Sequence, residues 1–155
     1  MYVDALVVGA VVAELQHLVG GRIQQVVMPT GDSVGLEVYH GGVRHQLLLS
    51  ANSNYARLHL VPTKLTRGPG ADAPLLLLLR KYVRGGRITR LECPPLERVV
   101  TFSITKMPTP RNQPPDEDED DDEVLFAPRH CALTIEIIGK SSNIVLVDDT
   151  NLVLE

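Results

Sequence analysis

A cluster of cations in the middle of the chain is the first group of residues whose spacing suits binding chemistry. Five basic residues lie within eleven positions, and three of them have the spacing of one helix edge. Cations at this density suit contacts with a phosphate backbone, although an ordinary solvated helix face would show the same pattern. The cluster consists of Arg80, Lys81, Arg84, Arg87 and Arg90.

The dipeptide Glu97-Arg98 is a second candidate, and it follows a bend that reads Cys-Pro-Pro-Leu. We expect it at the start of a strand, where adjacent side chains point to opposite faces. An arginine held by a strand can bind a base edge or a phosphate through two parallel hydrogen bonds. The alternative is an ordinary pair of surface charges.

The segment 136–143 reads EIIGKSSN and is a third candidate. Glu136 lies in an apolar run, which predicts that it faces solvent from a half-buried strand. The turn after it offers Lys140, backbone amides and hydroxyl groups, but it lacks the glycine spacing of a phosphate-binding P-loop. The alternative is a hairpin turn made of good turn formers.

Familiar catalytic and metal-binding motifs are missing from the sequence. It contains no GxSxG, HExxH or CxxC pattern. Cys93 and Cys131 are the two cysteines, too few for a disulfide scaffold or a cysteine-based structural zinc site. His130 is next to Cys131, and adjacent residues on a strand face apart. The sequence therefore predicts a binding protein, not an enzyme, with no catalytic residue, metal or cofactor.

Two helices and two groups of strands must position these residues. Apolar spacing predicts a largely buried helix over 4–19 and a second helix over 73–84, with Leu75, Leu78, Leu79 and Tyr82 as its apolar stripe. Alternation predicts strands, with a hairpin turn at Gly41-Gly42, and we find no internal repeat. The predicted class is α+β, a β-rich, two-sheet, sandwich-like domain with two main helices. The predicted strands cover 34–38, 43–49, 56–60, 87–93, 98–105, 131–138, 143–148 and 151–155.

The charge is divided unevenly along the chain. The formal net charge is −4, but eight of the 19 acidic residues form the run DEDEDDDE at 116–123. The remaining 11 acids are outnumbered by 15 Lys and Arg residues, so the net charge does not exclude an anionic partner. Residues 107–123 are rich in Pro and acid and are predicted to form a disordered loop. We hypothesise that this loop mimics RNA or keeps the chain soluble.

The 155 residues predict one domain over 1–155. The apolar N-terminal stretch is too short to span a membrane, and the first basic residue is Arg22, so no signal peptide is predicted. We therefore expect a cytoplasmic protein without a membrane partner. The chain ends inside a predicted hairpin, which suggests a piece of a longer protein.

Five stretches, in the same order, carry a resemblance to a known family. The most specific are LRKYVRGGRI at 79–88 and EIIGKSSNIVLVD at 136–148. The chain resembles the NFACT-N domain, also called the fibronectin-binding protein A N-terminal domain. This domain opens the RqcH, Tae and NEMF proteins of ribosome-associated quality control. The five stretches are 4–29, 45–60, 78–88, 96–100 and 133–149.

The resemblance implies a function in tRNA recruitment. Family members bind a stalled large ribosomal subunit that still holds peptidyl-tRNA, recruit aminoacylated tRNA, and add a C-terminal tail, which is alanine in bacteria. The family's Asp-Arg dipeptide falls on Glu97-Arg98, and its Glu-Ile-Met motif falls on Glu136, Ile137 and Ile138. We expect these residues to share one tRNA-binding surface with the cations Arg80, Lys81, Arg84 and Lys140.

Two other readings remain as alternatives. The order of elements also resembles the N-terminal domain of formamidopyrimidine-type DNA glycosylases, which opens with a catalytic proline and glutamate after the initiator methionine. This chain opens with Met1-Tyr2, so the secondary amine needed for Schiff-base chemistry is missing, and only the fold is expected to be shared. The older family name implies a surface adhesin with fibronectin as its partner.

Overall fold

The chain repeats one order of elements twice: a helix, a glycine pair and four antiparallel strands. The computed structural model describes residues 5–52, 56–65, 74–107, 128–138, 142–148 and 153. In the first half, α1 (Ala5–Leu15) and a short 3-10 helix (Gln16–Leu18) precede β1 (Arg22–Val27), β2 (Ser33–His40), β3 (Val43–Ser50) and β4 (Arg57–Val61). In the second half, α2 (Pro74–Tyr82) precedes β5 (Arg87–Glu92), β6 (Val99–Lys106), β7 (Arg129–Glu136) and β8 (Asn143–Asp148).

The two groups of strands form one sheet, so the prediction of two sheets is wrong, while the α+β class is confirmed. The strand order is β4-β3-β2-β1-β5-β6-β7-β8, and all neighbours are antiparallel. The halves join where Arg22 lies opposite Arg87. Reciprocal backbone bonds close this join: Gly20 N donates to Ile88 O and Gly85 N to Ile23 O, both at 2.7 Å.

The join contains a repeat that the sequence prediction missed. Gly-Gly-Arg-Ile occurs at 20–23 and again at 85–88. Gly20 and Gly85 have φ angles of 92° and 83°, a left-handed backbone that favours glycine. β1 and β5 also both carry an irregularity in register just after their isoleucines. The prediction that the chain has no repeat is therefore wrong, because these four residues are identical in the two halves.

One apolar core lies between the helices and one face of the sheet. Each helix packs across the join, since α1 contacts β4 and β5, and α2 contacts β1 and β7. The predicted first helix is present, and its buried residues Val8, Val12 and Leu15 have the spacing of one helix face. The helix is not largely buried, however, because Leu6 on its outer face is 74% exposed. The outer face of α1 is itself largely apolar, so the sequence predicted fuller burial than the structure shows.

The second helix and the hairpin turn can be compared with what the local sequence patterns predicted. In α2 Leu79 of the predicted stripe is buried, and Leu75, Leu78 and Tyr82 are half-buried and pack against the core; Leu76, which was not predicted, is buried as well. Gly41 and Gly42 have φ angles of 61° and 80°, as a two-residue hairpin turn requires. The acidic run and most of the predicted 107–123 loop lie outside the described residues. Within the described part of the chain, no helix is long and apolar enough to span a membrane.

Candidate nucleic-acid interface

The sheet brings the dipeptide Glu97-Arg98 next to the segment 136–138. Val99, the first residue of β6, lies opposite Glu136, the last residue of β7. One step further, Ile137 N donates a hydrogen bond of 2.8 Å to Arg98 O. Two motifs that lie about forty positions apart in the sequence therefore meet at one end of the β6–β7 ladder, which we call the motif end.

A strained bend presents the dipeptide. Glu97 and Arg98 precede β6 and lie in a loop, not at the start of the strand as predicted. Glu97 N donates to Pro94 O at 3.1 Å, which closes the bend. Leu96 has a φ of 62° and its side chain is 81% exposed. A bulky residue in the left-handed region costs of order 1–2 kcal/mol, and such strain clusters at functional sites.

Leu96 is the site residue that sequence reasoning missed. Its only signal was the preceding Pro-Pro pair, which indicates a bend but not a left-handed leucine. Leu96 lies two residues before Arg98 and supplies an exposed apolar side chain close to it in the chain. That combination suits contact with an unstacked base.

Successive side chains of the segment 136–138 alternate between exposure to solvent and burial in the core. Glu136 is half-buried on the outer face, as predicted, while Ile137 is buried and Ile138 is 42% exposed. Ile138 N donates to Ser142 Oγ at 2.9 Å, which anchors the start of the following turn. Lys140 lies outside the described residues. Leu96 and Ile138 thus add exposed apolar surface on either side of the paired motifs.

The cations of α2 lie at the opposite end of the β6–β7 ladder. Lys106, the last residue of β6, donates through Nζ to Lys81 O at 3.2 Å. Seven residue steps separate Lys106 from Val99, a length of about 23 Å along an antiparallel strand. Arg80 and Arg84 are half-buried and Lys81 is exposed. The structure therefore does not bring the two groups of predicted residues together.

Two cations lie near the ring of Tyr82, at the end of the β6–β7 ladder opposite the motif end. The Arg129 guanidinium lies 4.8 Å from its ring centroid and Lys81 Nζ lies 5.6 Å from it. Such contacts hold a cation near an aromatic face. Arg90, assigned to the same cluster from the sequence, lies on β5 and forms an ion pair with Glu92. Arg87 lies on β5 opposite Arg22.

Burial raises the pKa of both cysteine thiols. Burial raises the pKa of Cys131 from 9.0 to about 12, although nearby Arg129 and Lys106 oppose the shift. Burial also raises the pKa of Cys93, with a backbone hydrogen bond at Val99 opposing and the Glu97 charge adding to the shift. Neither thiol is poised as a nucleophile. Among the described residues, no group of three or more His, Cys, Asp or Glu residues is arranged to hold a metal ion.

The buried Cys131 thiol is expected to make stability depend on alkaline pH. Its native pKa lies above its unfolded value, so its contribution is complete below pH 9 and is lost as pH rises towards 12. Between pH 8 and pH 10, the free energy of unfolding should fall by about 1.4 kcal/mol more in the natural chain than in Cys131→Ala. Urea titrations at both pH values measure this, and parallel losses in the two proteins would contradict it.

Similarity to known proteins extends over nearly the whole chain. A family model described as NFACT N-terminal and middle domains matches residues 4–155. The protein named Rqc2 homolog RqcH from Streptococcus suis (strain 05ZYH33) is 32% identical over 149 residues, 96% of this chain and 24% of that protein. Its namesake from Bacillus subtilis (strain 168) is 31% identical over 133 residues, 86% of this chain and 20% of that protein.

Solved structures show the same fold. The N-terminal part of the fibronectin/fibrinogen-binding protein from Streptococcus suis aligns with a TM-score of 0.81 at 29% identity, over 99% of this chain and 52% of that one. The N-terminal domain of fibronectin-binding protein PavA from Streptococcus pneumoniae aligns with a TM-score of 0.81 at 30% identity, over 98% and 52%. The chain spans about a quarter of the S. suis relative and half of these solved chains.

Proposed function

Because the chain belongs to the family of NFACT N-terminal and middle domains, we propose that it is the tRNA-binding part of a ribosome quality-control factor. The observation that carries this is the 2.8 Å bond from Ile137 N to Arg98 O, which joins the two motifs at the motif end. In the proposal, the whole factor acts in the cytoplasm and binds stalled large ribosomal subunits with peptidyl-tRNA. It recruits tRNA there for C-terminal alanine tailing.

The chemistry of the motif end suits an exposed RNA loop. The Arg98 guanidinium offers two parallel donors for a base edge or a phosphate. Leu96 and Ile138 are exposed apolar side chains that can contact the face of a splayed base. Glu136 is the matching acceptor, because its carboxylate lies on the outer face of β7 beside the bend. RNA loops, rather than helices, present the unstacked bases that such a site can use.

The proposed role is binding without catalysis or a cofactor. The likeness to the N-terminal domain of formamidopyrimidine-type glycosylases remains part of this proposal as a shared fold only.

Fluorescence anisotropy of labelled total tRNA, titrated with the 155-residue chain over a series of salt concentrations, tests the proposal. We expect binding whose affinity falls linearly on a double-logarithmic salt plot, because cations displace counterions from phosphates. The recovered tRNA should be intact on a denaturing gel. Absence of binding at low salt, with the chain shown to be folded by a thermal melt, would contradict the proposal.

Fibronectin binding is a second candidate function. It is favoured by the solved structures, which are described as fibronectin-binding or fibronectin/fibrinogen-binding proteins. Immobilised fibronectin, probed with the same chain by surface plasmon resonance, separates the two candidates. Saturable binding to fibronectin without binding to tRNA would favour the adhesin.

A further inference from the structure

A row of six side chains, three of them arginines, crosses six strands of the sheet on one face. The strand register places its members directly opposite one another, so their side chains share a face. Most of them are exposed, and Thr105 is half-buried. In strand order from β3 to β7, the row is Arg44, Tyr39, Arg22, Arg87, Thr105 and His130. We call it the arginine row.

The centre of the row is a pair of like charges. Arg22 and Arg87 are opposite each other, and the backbone hydrogen bonds lie on the residues that flank them. In such a pair the Cα atoms are about 4.5 Å apart and the side chains are closest. Among the described residues, neither guanidinium has a carboxylate or hydrogen-bond partner. Like charges in this position oppose folding, so a bound anion would remove a real repulsion.

The scaffold holds this pair rigidly. A Cβ atom on Gly21 would lie 2.6 Å from Val38 Cγ1, and one on Gly86 would lie 2.6 Å from Ile104 Cγ2. These close approaches, with the four reciprocal backbone bonds of the join, keep the two arginines side by side. Ile23 and Ile88, the residues that follow them, are fully buried. The backbone beneath the two arginines is therefore fixed, so their side chains leave the sheet side by side.

The flanks of the row extend the same chemistry. Arg44 and Tyr39 lie on one side, and on the other side Thr105 Oγ1 is 2.9 Å from His130 Nδ1. Five strand spacings separate β3 from β7, about 24 Å along the sheet. Carboxylates near this face are engaged, since Glu37 accepts a hydrogen bond from Gln46 and Glu92 pairs with Arg90. A long anion fits this shape better than a single small one.

We propose that the arginine row binds the phosphate backbone of RNA, as a surface separate from the motif end. The proposal rests on the proposed function, because the arginine row supplies phosphate contacts to the same RNA whose bases the motif end contacts. Six residue steps separate Thr105 of the row from Val99 at the motif end, about 20 Å. Phosphate contacts carry no sequence information, so the row contributes affinity and position, while the motif end contributes selectivity.

The test compares the double variant Arg22→Gln/Arg87→Gln with the single variant Arg57→Gln. Arg57 is an exposed arginine at the far end of the β3–β4 ladder, opposite Ser50 and about 20 Å from Arg44. The ligands are labelled total tRNA and a labelled unstructured RNA of twenty nucleotides. The measured quantity is the slope of log affinity against log salt concentration, which we call the salt slope. For the double variant, we expect this slope to be shallower by at least about 0.7, which corresponds to a loss of about 5-fold or more in affinity at 0.1 M salt. Arg57→Gln should change the slope by much less.

One further variant and two further measurements make the result specific. Arg22→Lys/Arg87→Lys keeps the charge and should keep most of the salt slope. The double glutamine variant should melt no lower than the natural chain, because it removes a repulsion. The loss of affinity should be of similar size for both RNAs, because the contacts are to the backbone.

The outcomes separate this proposal from the function on which it rests. If the natural chain binds tRNA and the double glutamine variant binds with an unchanged slope, the arginine row is overturned and the proposed function stands. If the natural chain binds the unstructured RNA through the row but does not bind tRNA, the row is supported and the proposed function fails. Row-dependent binding of poly-glutamate without binding of either RNA would overturn the row as an RNA surface.

Discussion

The Arg98→Ala variant is expected to bind tRNA about 1–3 kcal/mol more weakly than the natural chain, the range for one good bidentate contact. The reason is geometric. The Arg98 backbone is bonded to Ile137, so the side chain starts from a fixed point beside Glu136 and the exposed Leu96 and Ile138. The planar fork of the guanidinium loses little further freedom for each hydrogen bond that it forms. Anisotropy with labelled total tRNA at fixed salt measures the loss.

Two matched variants show whether geometry or charge is responsible. Arg98→Lys keeps the charge but not the planar fork, so it should recover only part of the lost affinity. Arg57→Ala removes one exposed positive charge elsewhere and should change tRNA affinity little. Arg98 is half-buried, so a thermal melt must first show that Arg98→Ala is folded. A folded Arg98→Ala chain with natural affinity would contradict the assignment of Arg98 to the tRNA contact.

Arg98 and the arginine row should also differ in what they discriminate. Loss of a base-edge contact relaxes the preference among RNAs, whereas loss of a phosphate contact weakens all RNAs alike. The ratio of affinities for tRNA and the unstructured RNA should therefore fall in Arg98→Ala. The same ratio should stay constant in Arg22→Gln/Arg87→Gln. This contrast assigns selectivity to the motif end and affinity to the arginine row.

Gly86→Ala is expected to lower the free energy of unfolding by about 1–3 kcal/mol, the usual cost of overpacking. The new Cβ would lie 2.6 Å from Ile104 Cγ2 and 3.0 Å from Val83 O. Ile104 is 1% exposed and Val83 O already accepts a bond of 2.9 Å from Gly86 N, so neither neighbour moves cheaply. Urea unfolding followed by circular dichroism measures the change.

Gly9→Ala is the matched control for that substitution. Gly9 lies in the middle of α1 with nothing within 4 Å of an added Cβ, so alanine should stabilise the helix by about 0.5–1 kcal/mol. Opposite signs at two glycines would show that close packing, rather than loss of glycine itself, decides the effect at Gly86. Equal stability of Gly86→Ala and the natural chain would contradict the tight join between β1 and β5.

Local patterns in the sequence were enough to predict most of the elements. Alternation placed β2 and β3, and two adjacent glycines marked the turn between them, because a two-residue hairpin needs a left-handed backbone at both positions. Helical spacing found α1 and α2 because each has one stripe that must be covered. The family resemblance is confirmed by the match over residues 4–155.

What the sequence determined by itself is most of the elements, though not β1, together with the family and the residues that carry the two motifs. Only the tertiary structure decided which of those residues meet. Strand register put Arg98 beside Ile137 and left the cations of α2 at the opposite end of the β6–β7 ladder, and it placed Arg22 opposite Arg87. Periodicity reports how a segment is buried, but it does not report its partner strand. That choice depends on close approaches such as those at Gly21 and Gly86, which exist only once the two halves have joined.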